Sequence, residues 1–123
     1  MSLLVLAAIA LLGALGSLAR FGADLALAPW AVRLGWPVAT LAVNVLGSGL
    51  AGALSALGSR GVLTPEIQRA LLVGFCGGFT TFSAYTLQAF DLASRGGLAG
   101  WAYLVASPIA GIAAAWFGRW AAQ

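Results

Sequence analysis

The sequence contains no lysine and no histidine, a single cysteine, and only three acidic residues among 123. The missing histidine excludes imidazole catalysis and imidazole metal ligands, and the missing lysine excludes a phosphate-binding P-loop. The lone Cys76 rules out an intrachain disulfide and a cysteine metal cluster. Charge of either sign is scarce: 7% of residues are charged, against roughly 25% in a soluble domain. The six arginines give a net charge of +3 but stand singly, so they form no basic patch and no nucleic-acid partner is expected. Apolar surface is what the chain has in excess, at 62% of residues. Such a surface belongs in a lipid bilayer. The chain reads as a single all-α domain, 1–123, integral to a membrane.

The charges divide the sequence into four apolar windows, and a spanning helix needs about 20 residues. Ser2 to Ala19 is uncharged and extends past Arg20 towards Leu27; Leu34 to Ser59, Ala70 to Phe90 and Gly96 to Gly118 follow. Turn-like connectors separate them at Pro29–Arg33, Ser59–Glu66 and Asp91–Gly97. Thr64-Pro65-Glu66 has the form of an N-cap, a first-turn proline and an early acid, so the third helix is expected to start there. The predicted spans are 3–27, 35–58, 65–90 and 97–120. Trp30, Trp36, Trp101, Trp116 and Trp120 fall near the window edges, as an interfacial aromatic belt requires. The first window lacks the basic flank of a signal peptide and is read as a span.

Four spans place the chain ends and the middle loop on one side, with Arg60, Arg69 and Arg119. The opposite side holds Arg20, Arg33 and Arg95. Orientation follows the Lys and Arg bias, and three against three is no bias. Insertion in both orientations, and hence an antiparallel homodimer, is one reading; a weak bias or a partner subunit that sets orientation is the other.

Ionisable groups at membrane depth mark function, and no carboxylate, lysine or histidine sits centrally in any window. That argues against a proton-coupled pump. The polar groups present are neutral: Thr40, Asn44 and Ser48; Thr80, Thr81, Ser83 and Thr86; Tyr103 and Ser107. Such donors suit passive handling of a small ion or solute. Thr40, Asn44 and Ser48 recur every four residues and share a helix face, where they serve either as packing glue or, in the case of Asn44, as a pore residue. Gly47 to Gly52 matches a dinucleotide-binding pattern but lies inside an uncharged apolar window, without the strand and acid that reading needs.

The third window carries the strongest signal, Gly74-Phe75-Cys76-Gly77-Gly78-Phe79-Thr80-Thr81-Phe82-Ser83-Ala84-Tyr85. Two glycines followed by two threonines favour a break in mid-membrane. A break frees backbone carbonyls, which are tolerated only inside protein or beside a cavity and which suit a cation. Alternatively Gly74 and Gly78 form a packing face on an unbroken helix. Pro108 removes one hydrogen bond from the fourth window, just after Tyr103 and Ser107. Arg20 either snorkels to the headgroups or caps carbonyls within the protein.

Three stretches, Gly13 to Phe21, Thr40 to Ser48 and Gly74 to Tyr85, together resemble the Fluc (CrcB-type) fluoride channels over nearly the whole length. The resemblance implies a passive fluoride-selective channel, an antiparallel dual-topology dimer with two pores, in a bacterial inner membrane. It further implies a third helix broken at the dimer centre, where the carbonyls of Gly77 and Thr80 hold a structural sodium ion. Asn44 matches the pore asparagine and Phe82 the first pore phenylalanine. Thr40, Ser83, Tyr103 and Ser107 resemble the polar lining, and Arg20 matches an arginine at the end of the first helix. The motif departs from the family at Ala84 and at Tyr85, which keeps the second pore ring but adds a hydroxyl. A small multidrug exporter would need a membrane-embedded glutamate, and the only glutamate here, Glu66, lies at a helix start. A non-transporting assembly subunit would use the small-residue faces for packing alone.

Overall fold

The computed structural model describes residues 2–123, and among these every regular element is helical. Helix α1 (Leu3–Leu34) starts at Ser2, whose hydroxyl accepts the Val5 N–H, and stops at Gly35 in the left-handed conformation. The expected connector at Pro29–Arg33 is therefore helical, and the first helix runs past residue 27. A proline within a helix cancels one hydrogen bond without dictating where the helix ends; the stop comes at Gly35, where φ is +65° and a Cβ would be strained.

Helix α2 (Val38–Ser59) follows directly. Helix α3 comprises three continuous pieces, Pro65–Arg69, a π-helical stretch Ala70–Cys76, and Gly77–Phe79. It starts as the sequence predicts, with the Thr64 hydroxyl accepting the Ile67 N–H and Pro65 in the first turn. Thr80 and Thr81 are extended and interrupt the helix. Helix α4 (Phe82–Ser94) then resumes the crossing and continues four residues beyond the expected end at 90, and α5 (Leu98–Ala121) completes the chain.

Taking α3 and α4 as one crossing, four helices are long and apolar enough to span a membrane. Arg60 donates from Nη1 to the Ala122 carbonyl at 2.8 Å, bringing the middle loop beside the carboxyl terminus, as an even number of crossings requires. The chain is a multi-pass membrane protein.

Two glycine-mediated contacts set the packing. A Cβ on Gly16 would collide with the backbone of Phe75 and Phe79, and one on Gly78 with the backbone of Gly13, so α1 and α3 touch main chain to main chain. Gly52 and Gly118 allow the same approach between α2 and α5, against Ala115 and Gly49. Close approach of small residues is how helices gain dispersion energy where lipid removes the hydrophobic drive. The Gly74–Gly78 packing face and the helix break therefore coexist.

The buried core is thin. Only 11–28% of each spanning window is buried, and the chain exposes 7456 Å², where a soluble monomer of this mass exposes about 6,100 Å². One buried cluster lies where α4 meets α5, formed by Tyr85, Ala89 and the fully enclosed Tyr103, and α2 buries Val43, Leu54 and Ala56 as well. Trp36 packs its ring edge-on to Tyr103 at a centroid distance of 5.8 Å. From the turn between α1 and α2 it thus packs partly buried against this cluster. The other four tryptophans are exposed.

Candidate functional site: a polar cavity at the helix break

The break is held from α2. Asn44 donates from Nδ2 to the Thr81 carbonyl at 2.9 Å, and its Oδ1 accepts the Thr81 N–H at 2.7 Å. One side chain thereby pairs both main-chain groups of a residue that no helix serves, as a neighbouring strand would. Thr81 is buried and caps α4, its hydroxyl accepting the Ala84 N–H at 3.2 Å. Thr80 seals the end of α3: its N–H and its hydroxyl both donate to the Cys76 carbonyl, at 2.9 and 2.8 Å.

These bonds leave carbonyls behind. In a continuous α-helix the Gly77 carbonyl would accept from Thr81 N–H and the Thr80 carbonyl from Ala84 N–H. Here the first donor goes to Asn44 and the second to the Thr81 hydroxyl. Gly77 is exposed at the chain surface and Thr80 is half-buried. Carbonyl oxygens relieved of their helical donors are the ligand type that hard cations take, so these two residues fit the expected sodium ion; one chain provides part of a shell.

Beside the break lies a cavity of about 340 Å³. Asn44 and Ser48 of α2, the Thr80–Thr81 link, Phe82 and Tyr85 of α4, and Ser107, Pro108, Gly111, Ile112 and Ala115 of α5 line it. No lining residue is ionised at neutral pH. An amide nitrogen carries two N–H donors, and Asn44 uses one on Thr81. Phe82 is 77% exposed within the chain, with its ring centroid 5.7 Å from that of Tyr85. An aromatic ring is positive at its edge, so ring edges together with hydroxyl and amide donors make a lining suited to a small anion.

Five of the residues assigned to the ion sites from the sequence meet here: Asn44, Thr80, Phe82, Tyr85 and Ser107. Thr40 is buried at the start of α2 and does not line the cavity. Tyr103 is fully enclosed and does not line the cavity, and its hydroxyl reaches Gln88 Oε1 at 3.5 Å. Ser83 is exposed outside the cavity, 3.3 Å from the Thr81 hydroxyl. Arg20 is half-buried, and its Nε is enclosed without a hydrogen-bond partner among the described residues. Sequence reading missed Ser48 as a lining residue, although its four-residue spacing from Asn44 places it on that face. It also missed Thr81, whose position before a polar-start helix is an N-cap signal.

Comparison with known proteins bears on the same residues. The chain matches the family described as CrcB-like protein, Camphor Resistance (CrcB), over residues 7–119. It is 44% identical over 117 residues to a protein of Stutzerimonas stutzeri named fluoride-specific ion channel FluC, covering 90% of each chain. A protein of the same name from Chlorobium phaeobacteroides is 43% identical over 113 residues, 90% of this chain and 86% of that one. The Deinococcus radiodurans protein of that name is 43% identical over 113 residues, 90% and 89%. A membrane chain of four spans, broken in the third and matched over residues 7–119, belongs to the CrcB-like family.

Proposed function

We propose that this protein is a passive fluoride channel of a bacterial inner membrane, working as an antiparallel dual-topology homodimer with two pores. The observation that carries this reading is the cavity at the break: small, lined by neutral donors and aromatic rings, and without an ionised group. The relatives' shared name as fluoride-specific channels supports the choice of ion.

Conduction needs a site that replaces part of the ion's water yet releases it. The free Asn44 N–H and the hydroxyls of Ser48 and Ser107 replace water at the cavity, and the edges of Phe82 and Tyr85 offer positive potential without a fixed charge. Thr40, Ser83 and Tyr103 lie outside it, where Ser83 extends the polar path and the Tyr103 ring backs that of Tyr85 at 5.5 Å. A fixed full charge would hold the anion too tightly, and a titratable one would couple flux to protons.

The homodimer reading draws support from the outward exposure of Phe82 and Gly77, and from the balanced arginine count. A second copy would cover both and complete the ligand shell begun by the Gly77 and Thr80 carbonyls. A sodium ion held there supplies positive potential near both pores. Arg20, at the buried face of α1, is a structural residue in this arrangement.

The deciding experiment is ion efflux from liposomes carrying the purified chain, with fluoride and chloride electrodes. Rapid fluoride efflux without chloride efflux is the expected result. Vesicles that hold folded protein and release neither ion would overturn the channel and favour an assembly subunit.

A further inference from the structure

Position 85 carries a hydroxyl with a specific partner. Pro108 stands inside α5. The carbonyl of a helical residue accepts from the N–H four residues on, so the Leu104 carbonyl depends on residue 108, and proline has no N–H to give. Tyr85 Oη donates to that same Leu104 carbonyl from α4. The two helices are thus bonded at the point where α5 lacks a bond of its own.

We propose that Tyr85 is a positioning residue whose hydroxyl supplies the hydrogen bond that Pro108 removes from α5. The bond fixes the proline turn and the Tyr85 ring together as one wall of the cavity, which both residues line. The ring is held from two further sides, by Phe82 at a centroid distance of 5.7 Å and by Tyr103 at 5.5 Å. A tyrosine has one O–H to donate, and here it is committed to Leu104. An ion in the cavity therefore meets the ring of residue 85 and not its hydroxyl proton. Only this last consequence rests on the channel reading; the α4–α5 bond stands without it.

Two measurements on the full chain test the proposal. The first is a melting-temperature cycle in detergent over the native protein, Tyr85→Phe, Pro108→Ala and the double variant. Tyr85→Phe lowers the melting temperature by about 4 °C or more when residue 108 is proline. With alanine at 108, whose own N–H serves Leu104, the loss falls to less than half of that. Equal losses in both backgrounds would overturn the proposal. The second measurement covers the case in which a variant fails to fold. The chain has two tyrosines, so Tyr103→Phe leaves Tyr85 alone in the ultraviolet Raman spectrum, where its ring doublet reports a strongly donating hydroxyl. A doublet of a free or merely accepting hydroxyl would also overturn it. If the native chain passes no fluoride in liposomes, the channel reading fails while both of these results keep their meaning.

Discussion

Asn44 and Thr81, 37 residues apart, share two hydrogen bonds of 2.9 and 2.7 Å through which a side-chain amide stands in for a missing stretch of backbone. The pairing makes the interruption of α3 and α4 a defined structure and not a frayed helix. It also fixes the Asn44 plane, so that its second N–H is presented with the cavity lining.

Asn44→Ala strips both partners from Thr81 at membrane depth. An unsatisfied buried polar group costs about 1–3 kcal/mol, so the loss expected is about 2–6 kcal/mol for the pair. The variant should melt well below the native protein in detergent and release no fluoride from liposomes. Native stability would mean that Thr81 finds other partners.

Phe82→Ile removes the ring and keeps apolar bulk at a position that is outward-facing within one chain. The expected outcome is loss of fluoride efflux from a protein whose size-exclusion profile still reports a folded dimer. Normal efflux would remove the aromatic edge from the account of the pore.

Gly16→Val tests the contact between α1 and α3. The added carbon meets main-chain atoms of Phe75 and Phe79, which cannot swing aside as a side chain would. Overpacking of this kind costs about 1–3 kcal/mol or more, visible as a lowered melting temperature. Gly22, whose Cβ position is open, provides the control: valine there should have a far smaller effect.

Replacing sodium by a large organic cation during purification tests the carbonyls of Gly77 and Thr80. With their helical donors diverted, these oxygens should need the ion, and the proposed homodimer should dissociate or lose efflux until sodium is restored. Indifference to sodium would assign the break to the side-chain bonds alone.

Much of this arrangement is legible in local chemistry. Thr64-Pro65 marks a helix start because capping hydroxyl and proline act within one turn, and Gly77-Gly78-Thr80-Thr81 marks a break because those residues pay most to be helical. What local chemistry cannot settle is where the break falls. That choice belongs to Asn44, which reaches Thr81 from another helix. Pro29 was misread for a related reason: a proline's effect is one lost bond, and whether the helix survives depends on its surroundings. Thr40 and Tyr103 share faces with lining residues, yet both are buried, Tyr103 beneath Trp36, and neither meets the cavity. The partner of the Tyr85 hydroxyl could not be read from its neighbours either, since it is created by Pro108 on α5.

The helices differ in how much length they hold in reserve. At 1.5 Å per residue, α1 with its 32 residues is about 48 Å long, against a hydrocarbon layer of about 30 Å. Its last turns, past Pro29 with Arg33 lying over Trp30 at 6.0 Å, are length beyond what that layer requires. A thicker bilayer is met by drawing those turns inward. Helix α2, with 22 residues, measures about 33 Å and has almost nothing to give. Since α2 carries Asn44, a bilayer thickened by several ångströms strains the helix that clasps the break before it strains any other, and bilayer thickness becomes a variable acting on the cavity itself.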